Sequence, residues 1–339
     1  MASLEPLTVK TDTYTINESQ RTNYPVTRPP ARKLPTDSPG HPPMDPPRVI
    51  YAHSWFGLGA ASAAVGLASV ARYGWPAAVG LGGLGLLGLA HMIKVEPAMP
   101  ILEHIDLHSS ALPPQLDGLR IGQITDMHLG LAQTERNVNW VVEQMQREKP
   151  DVIVITGDLV HKKAAIPEVT RLLCRLDAPL GIYAVPGNHD YWEGLADVRA
   201  ALTLLDIPLL LNENRCLRWN GADLWLLGID DIWNGQPDLQ GMLRQVPQGA
   251  FKLLLSHAPD MADEAARQGV HVQLSGHTHG GHLRLPVLGP FTRPRFGVQY
   301  VIGHYHVNEM NLYVSRGLGG TPLRLLCPPE ATIITLRSA

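Results

Sequence analysis

Two imidazoles stand two residues apart in Gly276-His277-Thr278-His279-Gly280-Gly281, between glycines that let backbone approach a small ligand closely. Neutral imidazole is the commonest metal ligand in proteins, and a pair at this spacing has few structural uses. Upstream, Gly187-Asn188-His189-Asp190 delivers an amide oxygen and an imidazole together from a glycine-opened loop. Three weaker signals accompany these. Asp126 and His128 are separated by one residue, which in extended chain puts both side chains on one face. Gly157-Asp158 and Ser256-His257 each close an apolar run. Singly, these three read as a solvated turn, an ordinary strand-end turn and a satisfied structural histidine. Together with the two stronger motifs they form one distributed set of carboxylate, imidazole and amide-oxygen ligands. A set of N and O ligands without thiolate suits Mn²⁺, Fe²⁺ or Zn²⁺ and does not choose between them.

The elements that must position this set are legible from about residue 116 onward. Short apolar runs alternate there with amphipathic helical patterns, which predicts an α/β domain. Strands are expected at Leu119 to Thr125, Val152 to Thr156, Gly181 to Val185, Leu224 to Gly228, Lys252 to Ser256, Val270 to Leu274, Asn311 to Ser315 and Thr332 to Leu336. Val138, Val141, Val142 and Met145 give one apolar helix face; Val169, Leu172, Leu173 and Leu176 give another. The ligand motifs fall at strand ends, where ligands gather in open α/β sheets. Strands in this number suggest two sheets packed face to face.

The N-terminal third has a different texture. Residues 1–48, rich in Pro, Thr, Ser and Asn, read as a disordered tail. Residues 49–94 hold two apolar stretches, Ile50 to Val70 and Trp75 to Ile93, each near the length needed to cross a bilayer. The short turn between them predicts a transmembrane hairpin, with small residues at Ala60, Ala64 and Ala68 and at Gly74, Ala78 and Gly82 permitting close approach. The alternative is a pair of Ala/Gly-rich helices packed on the soluble domain. Arg32, Lys33, Arg48 and Lys94 flank the open side of the hairpin against Arg72 in its turn, so the catalytic side is expected to be cytoplasmic, or periplasmic if one stretch alone spans. Residues 95–115 read as a linker and 116–339 as the catalytic domain. The net charge of -3 gives no support to nucleic-acid binding. Cys174, Cys216 and Cys327 form no CxxC pair, sit in apolar stretches that read as core, and suggest neither disulfides nor a thiolate site.

The ordered set Asp126-x-His128, Gly157-Asp158, Gly187-Asn188-His189-Asp190, His257 and Gly276-His277-x-His279 resembles the calcineurin-like metallophosphoesterase superfamily over about residues 116–337. The stretch from Gly276 to Pro290 and the closing Ser315-Arg316-Gly317-Leu318-Gly319 through Glu330 are similar to its YkuE/YaeI-like bacterial membrane-associated branch. The resemblance implies a four-layer α-β-β-α sandwich and a hydrolase that uses two divalent metal ions on phosphate ester or pyrophosphate bonds. It implies one ion held by Asp126, His128, Asp158 and His279 and another by Asp158, Asn188, His257 and His277, with His189 donating a proton to the leaving oxygen. Arg316 could meet a phosphate or form a salt bridge. The branch also implies a bacterial inner-membrane location and a phosphorylated or nucleotide-linked lipid substrate such as UDP-2,3-diacylglucosamine, a lipid A precursor. Competing readings are a general phosphodiesterase or phosphomonoesterase on soluble substrates and a non-catalytic, metal-binding membrane scaffold.

Overall fold

The computed structural model of the chain describes residues 68, 72, 74–285 and 289–339. The tail expected at 1–48 lies outside these residues, as does the first apolar stretch, Ile50 to Val70, apart from Ala68. The second stretch forms α1 (Trp75–Ala90), which runs on through a π turn (His91–Val95) and a 3-10 turn (Glu96–Ala98). The segment Val79–Ala98 is long and apolar enough to cross a membrane, and 6% of it is buried. A hairpin is therefore not shown. The described side chains of α1 are exposed.

The remainder alternates strand and helix. β1 (Ile101–Ser109) precedes β2 (Arg120–Ile124), α2 (Thr134–Glu148), β3 (Val152–Thr156), α3 (Ile166–Leu173) and β4 (Ile182–Val185). Then come α4 (Asn188–Glu193), α5 (Leu195–Thr203), β5 (Glu213–Trp219), β6 (Ala222–Gly228), α6 (Leu239–Leu243) and β7 (Phe251–Leu255). The chain closes with α7 (Ala262–Arg267), β8 (Val272–Ser275), the short β9 (Arg284–Leu285) and β10 (Gly289–Pro290), β11 (Gly303–Val307), β12 (Met310–Val314) and β13 (Glu330–Ser338).

Two mixed sheets result, one of order β1-β13-β2-β3-β4 and one of order β11-β12-β8-β7-β6-β5. Side-chain alternation explains the layering. In β3, Val152 and Val154 enter the core between the sheets, while Ile153 and Ile155 enter the core beneath α2 and α3. In β7, Leu253 and Leu255 face the first sheet and Leu254 faces the layer of α6 and α7. A strand buried on both faces must be apolar throughout, as the run Val152-Ile153-Val154-Ile155 is. Each fully buried aliphatic side chain contributes about 1.5–3 kcal/mol. The four-layer α/β sandwich stands.

Strands absent from the sequence reading are β1, β5 and β11, each at the edge of its sheet, and the short pair β9 and β10, which form a two-stranded sheet of their own. One face of an edge strand is wet, so His104, Asp106 and His108 interrupt β1 and Arg218 interrupts β5 without any continuous apolar run. The expected linker 95–115 thus contains β1, which pairs in parallel with β13 from Ile101↔Glu330 to Ser109↔Ser338. Cys327 is buried, but Cys174 and Cys216 are exposed, at the end of α3 and on the edge strand β5. A chain beginning at residue 96 is expected to melt cooperatively, whereas one beginning at residue 112, which leaves β13 without its neighbour and buries no Leu107, should be insoluble or lose its thermal transition by circular dichroism.

Candidate metal centre

Side chains that follow the carboxyl ends of β2, β3 and β4 meet those that follow β7 and β8 of the other sheet. Asp126, His128, Asp158, Asn188, His257, His277 and His279 are all buried. Asp126 and His128 do face one point, but not through extended backbone. Both have left-handed φ, 51° and 46°, and so do Asp158 (53°), His277 (70°) and His279 (50°). Each such residue costs on the order of 1 kcal/mol, and strain of this kind gathers at functional sites because the sharp turn aims the side chain.

The donors converge as two wholly buried groups, Asp126, His128 and His279, and Asp158, His257 and His277, beside a less buried group of His128, His161 and His189. His128 Nε2 lies 3.2 Å from His279 Nε2, and His279 Nε2 lies 3.5 Å from Asp126 Oδ1. His277 Nδ1 lies 3.1 Å from His257 Nε2, which is 3.4 Å from Asp158 Oδ2. The same Asp158 oxygen is 3.4 Å from His128 Nε2, so one carboxylate touches both buried groups.

Backbone carbonyls choose the nitrogen each ring turns inward. His257 Nδ1–H donates to the Thr156 carbonyl at 2.8 Å, and His277 Nε2–H donates to that of Arg295 at 2.6 Å. The facing nitrogens keep their lone pairs for the centre, which is how ligating histidines are oriented. Asp126 accepts from His277 N–H at 3.0 Å and from Thr125 Oγ1–H at 2.7 Å; Asp158 accepts from His189 N–H at 2.9 Å. The Asn188 amide oxygen is buried with no hydrogen-bond partner. Stranding it costs about 1–3 kcal/mol, which a cation repays. The residues present therefore fit divalent ions.

Burial keeps His128 and His279 well below the ordinary imidazole value and His277 at about 4, so all three are neutral and able to ligate. Burial pushes the Asp126 carboxyl up to about 6. Burial alone would also raise Asp158, but the charge of His257 beside it holds it far below the usual carboxylate range. Reciprocally, burial works against the charged form of His257 and Asp158 carries it up to about 10, so a cation ligated by Nε2 takes the place of the proton that Asp158 favours there. Asp158 is the negative pole of the centre.

The loop after β12 closes one side. Arg324, 1% exposed, donates to the carbonyls of Cys327 (3.0 Å), Arg316 (3.1 Å), Gly317 (3.3 Å) and Gly319 (2.7 Å), tying that loop over Asp126. Gly317 has φ +65°, and a Cβ there would stand 2.5 Å from that of Asp126. Arg316 is spoken for: it bonds Glu330 and, at 2.6 Å, Glu103. Asp190 accepts from Gly187 N–H and Leu159 N–H, both at 2.9 Å, and so ties the β3 and β4 loops together.

The family model for calcineurin-like phosphoesterase matches residues 119–308. The uncharacterized metallophosphoesterase YkuE of Bacillus subtilis is 36% identical over 262 residues, covering 74% of this chain and 90% of that protein. The chain belongs to the calcineurin-like phosphoesterase family. An uncharacterized metallophosphoesterase of Aquifex aeolicus is 32% identical, covering 70% of this chain and 91% of its own length. The transmembrane protein with metallophosphoesterase domain of Bos taurus is 33% identical over 76% of this chain and 60% of its own length. As a calcineurin-like phosphoesterase the chain is a metal-dependent hydrolase that uses two divalent ions.

Around this phosphoesterase centre, the sequence reading missed Arg324, the carbonyl of Arg295, His161, whose Nδ1 is 3.4 Å from His128 Nδ1, and His282, stacked on His279 at 4.7 Å. His161 and Arg295 sit in no motif, whereas His282 lies within the stretch Gly276 to Pro290 and Arg324 within the closing stretch that runs to Glu330, where a lone arginine in the apolar run Pro322 to Cys327 was the available signal. Substituting Gly317→Ala should displace Asp126 and lower bound metal per chain well below the wild-type content by elemental analysis, while the far-ultraviolet spectrum stays unchanged.

Proposed function

We propose that the chain hydrolyses a phosphate ester or pyrophosphate bond at a membrane, with Asp126, His128, Asp158 and His279 holding one divalent ion and Asp158, Asn188, His257 and His277 the other. The observation that carries this reading is the Asp158 oxygen placed 3.4 Å from both His128 and His257, as a bridging carboxylate requires. When bound, two divalent ions supply Lewis acidity toward phosphoryl oxygens and acidify water to near neutrality.

The chain's own residues supply position and protons. Asp158 and Asp126 are fixed by backbone N–H groups and by Thr125, so the ligand frame does not reorganise during reaction. His189 is partly exposed in the cleft, and its backbone N–H is anchored to Asp158. Burial holds its imidazole below the ordinary value. Water attacks phosphorus in line and releases a proton to solvent, the bond to the leaving oxygen breaks, and His189, protonated from solvent, donates the proton that oxygen takes up.

A membrane substrate is supported by the joint between α1 and the centre. Arg324 N–H donates to Met92 O at 2.9 Å, Cys327 N–H to Glu96 Oε1 at 2.5 Å, and Asn137 Nδ2–H to both Pro97 O and Leu318 O at 2.9 Å. The apolar helix is thus bolted to the loop whose Gly320 and Thr321 line the cleft. Relatives from Bos taurus and Danio rerio are named as transmembrane proteins. The resemblance to the bacterial membrane-associated branch is what supports an inner-membrane location, with UDP-2,3-diacylglucosamine as the first lipid-linked substrate to test.

Mn²⁺-dependent hydrolysis of bis-p-nitrophenyl phosphate and of UDP-2,3-diacylglucosamine is expected from the wild type and not from Asp158→Asn. Turnover of the generic diester alone leaves a phosphodiesterase of soluble substrates, and metal binding without turnover of either leaves a scaffold. His189→Gln should retain metal while kcat falls about 10²-fold or more; loss of metal from this variant refutes the assigned role.

A further inference from the structure

The cleft over the centre, about 240 Å³, has a wall that hydrolysis does not use. Trp192 of α4 and Trp233 of the loop after β6 both line it. Trp192 is 51% exposed, and an indole left this wet is held in place all the same. Its Nε1–H donates to Asn234 Oδ1 at 3.1 Å, and its ring meets His189 at 4.6 Å and Trp233 at 5.3 Å.

The loop that carries Trp233 is itself built around carboxylates. Asp231 Oδ2 accepts from Trp233 N–H at 3.1 Å and from Asn234 N–H at 2.7 Å. Asp230 accepts from Gln236 N–H at 2.9 Å and from the hydroxyl of Tyr191, the neighbour of Trp192, at 2.5 Å. Arg295 lies over the ring of Trp233, 5.5 Å from its centroid. Two indoles from different loops are therefore pre-set beside the reacting centre, an arrangement that lowers the ordering cost of binding a ring. Apart from them and Pro294, the described lining consists of His, Asp, Asn, Gly and Thr. Among the described lining residues a hydrocarbon chain meets no aliphatic side chain but that of Pro294, while a planar ring finds indole to stack on.

We propose that Trp192 and Trp233 form a subsite for a planar aromatic ring, a nucleobase in the first instance, carried on the organic part of the phosphate ester on the His189 side. The proposal rests on the hydrolase reading above and narrows it: the part of the substrate on the His189 side carries a ring such as uracil, joined to the phosphate through its sugar, and any acyl chains lie outside the cleft. Stacking of this kind tightens binding roughly tenfold.

Calorimetric titration of the Mn²⁺-loaded full chain in detergent tests it with uridine 5′-monophosphate, ribose 5-phosphate, butyl phosphate and methyl phosphate. The nucleotide is expected to bind roughly tenfold tighter than ribose 5-phosphate, and butyl phosphate no tighter than methyl phosphate. Trp192→Ala should bring the nucleotide-to-ribose ratio toward one, and Trp192→Phe, which keeps a ring, should preserve most of it. Equal affinities in the wild type, a ratio untouched by Trp192→Ala, or butyl phosphate binding tightest each overturns the subsite. Bis-p-nitrophenyl phosphate turnover on the same sample separates the two readings. An active protein without nucleotide preference sinks the subsite alone, and an inactive one that retains the preference sinks the hydrolase.

Discussion

Asp158 has to stay ionised while 2% exposed, between two histidines from different sheets. An isolated carboxylate removed from water costs several kcal/mol, so the fold around it must return that energy through opposite charge and hydrogen bonds. His257 provides the first and the backbone N–H of His189 the second. Both arrive only if the strand ends of the two sheets abut at this point, which ties the packing of the inter-sheet core to the chemistry above it. The left-handed turns at Asp126, His128, Asp158, His277 and His279 belong to the same requirement. Each trades a little backbone energy for a side chain aimed inward, and the rigid sheets beneath hold the strain in place.

The second consequence is a joint. Because the loop after β12 passes within contact of Asp126, whatever steadies that loop steadies the centre. Arg324 does so by donating to carbonyls rather than to a carboxylate, and burial pulls its guanidinium below its ordinary value without neutralising it. The same loop receives Glu96 and the carbonyl of Met92 from the base of α1. These bonds hold the turns that follow the apolar helix, Met92 to Pro97, against the loop beside the centre. β1 extends this coupling, since it leaves the joint and enters the sheet beside β13. A segment that looks like a tether in the sequence is part of the frame.

What the amino-acid order by itself determined is the reaction chemistry and the buried half of the fold. A ligand motif is a local property: Gly276-His277-x-His279 or Gly187-Asn188 declares its donors whatever surrounds it. A strand buried on both faces likewise declares itself, because every position must be apolar, as in β3 and β7. Edge strands such as β1 and β5 carry no such mark, since half of each is satisfied by water and reads as loop. Tertiary structure alone decided which nitrogen of His257 and His277 points inward, because that depends on carbonyls 101 and 18 residues away. It also decided that Arg316 answers Glu103 and Glu330, and that Trp192 and Trp233 share one cleft. These are relations between residues distant in the chain, and the physics that sets them is the packing of two sheets, which no single stretch of sequence contains.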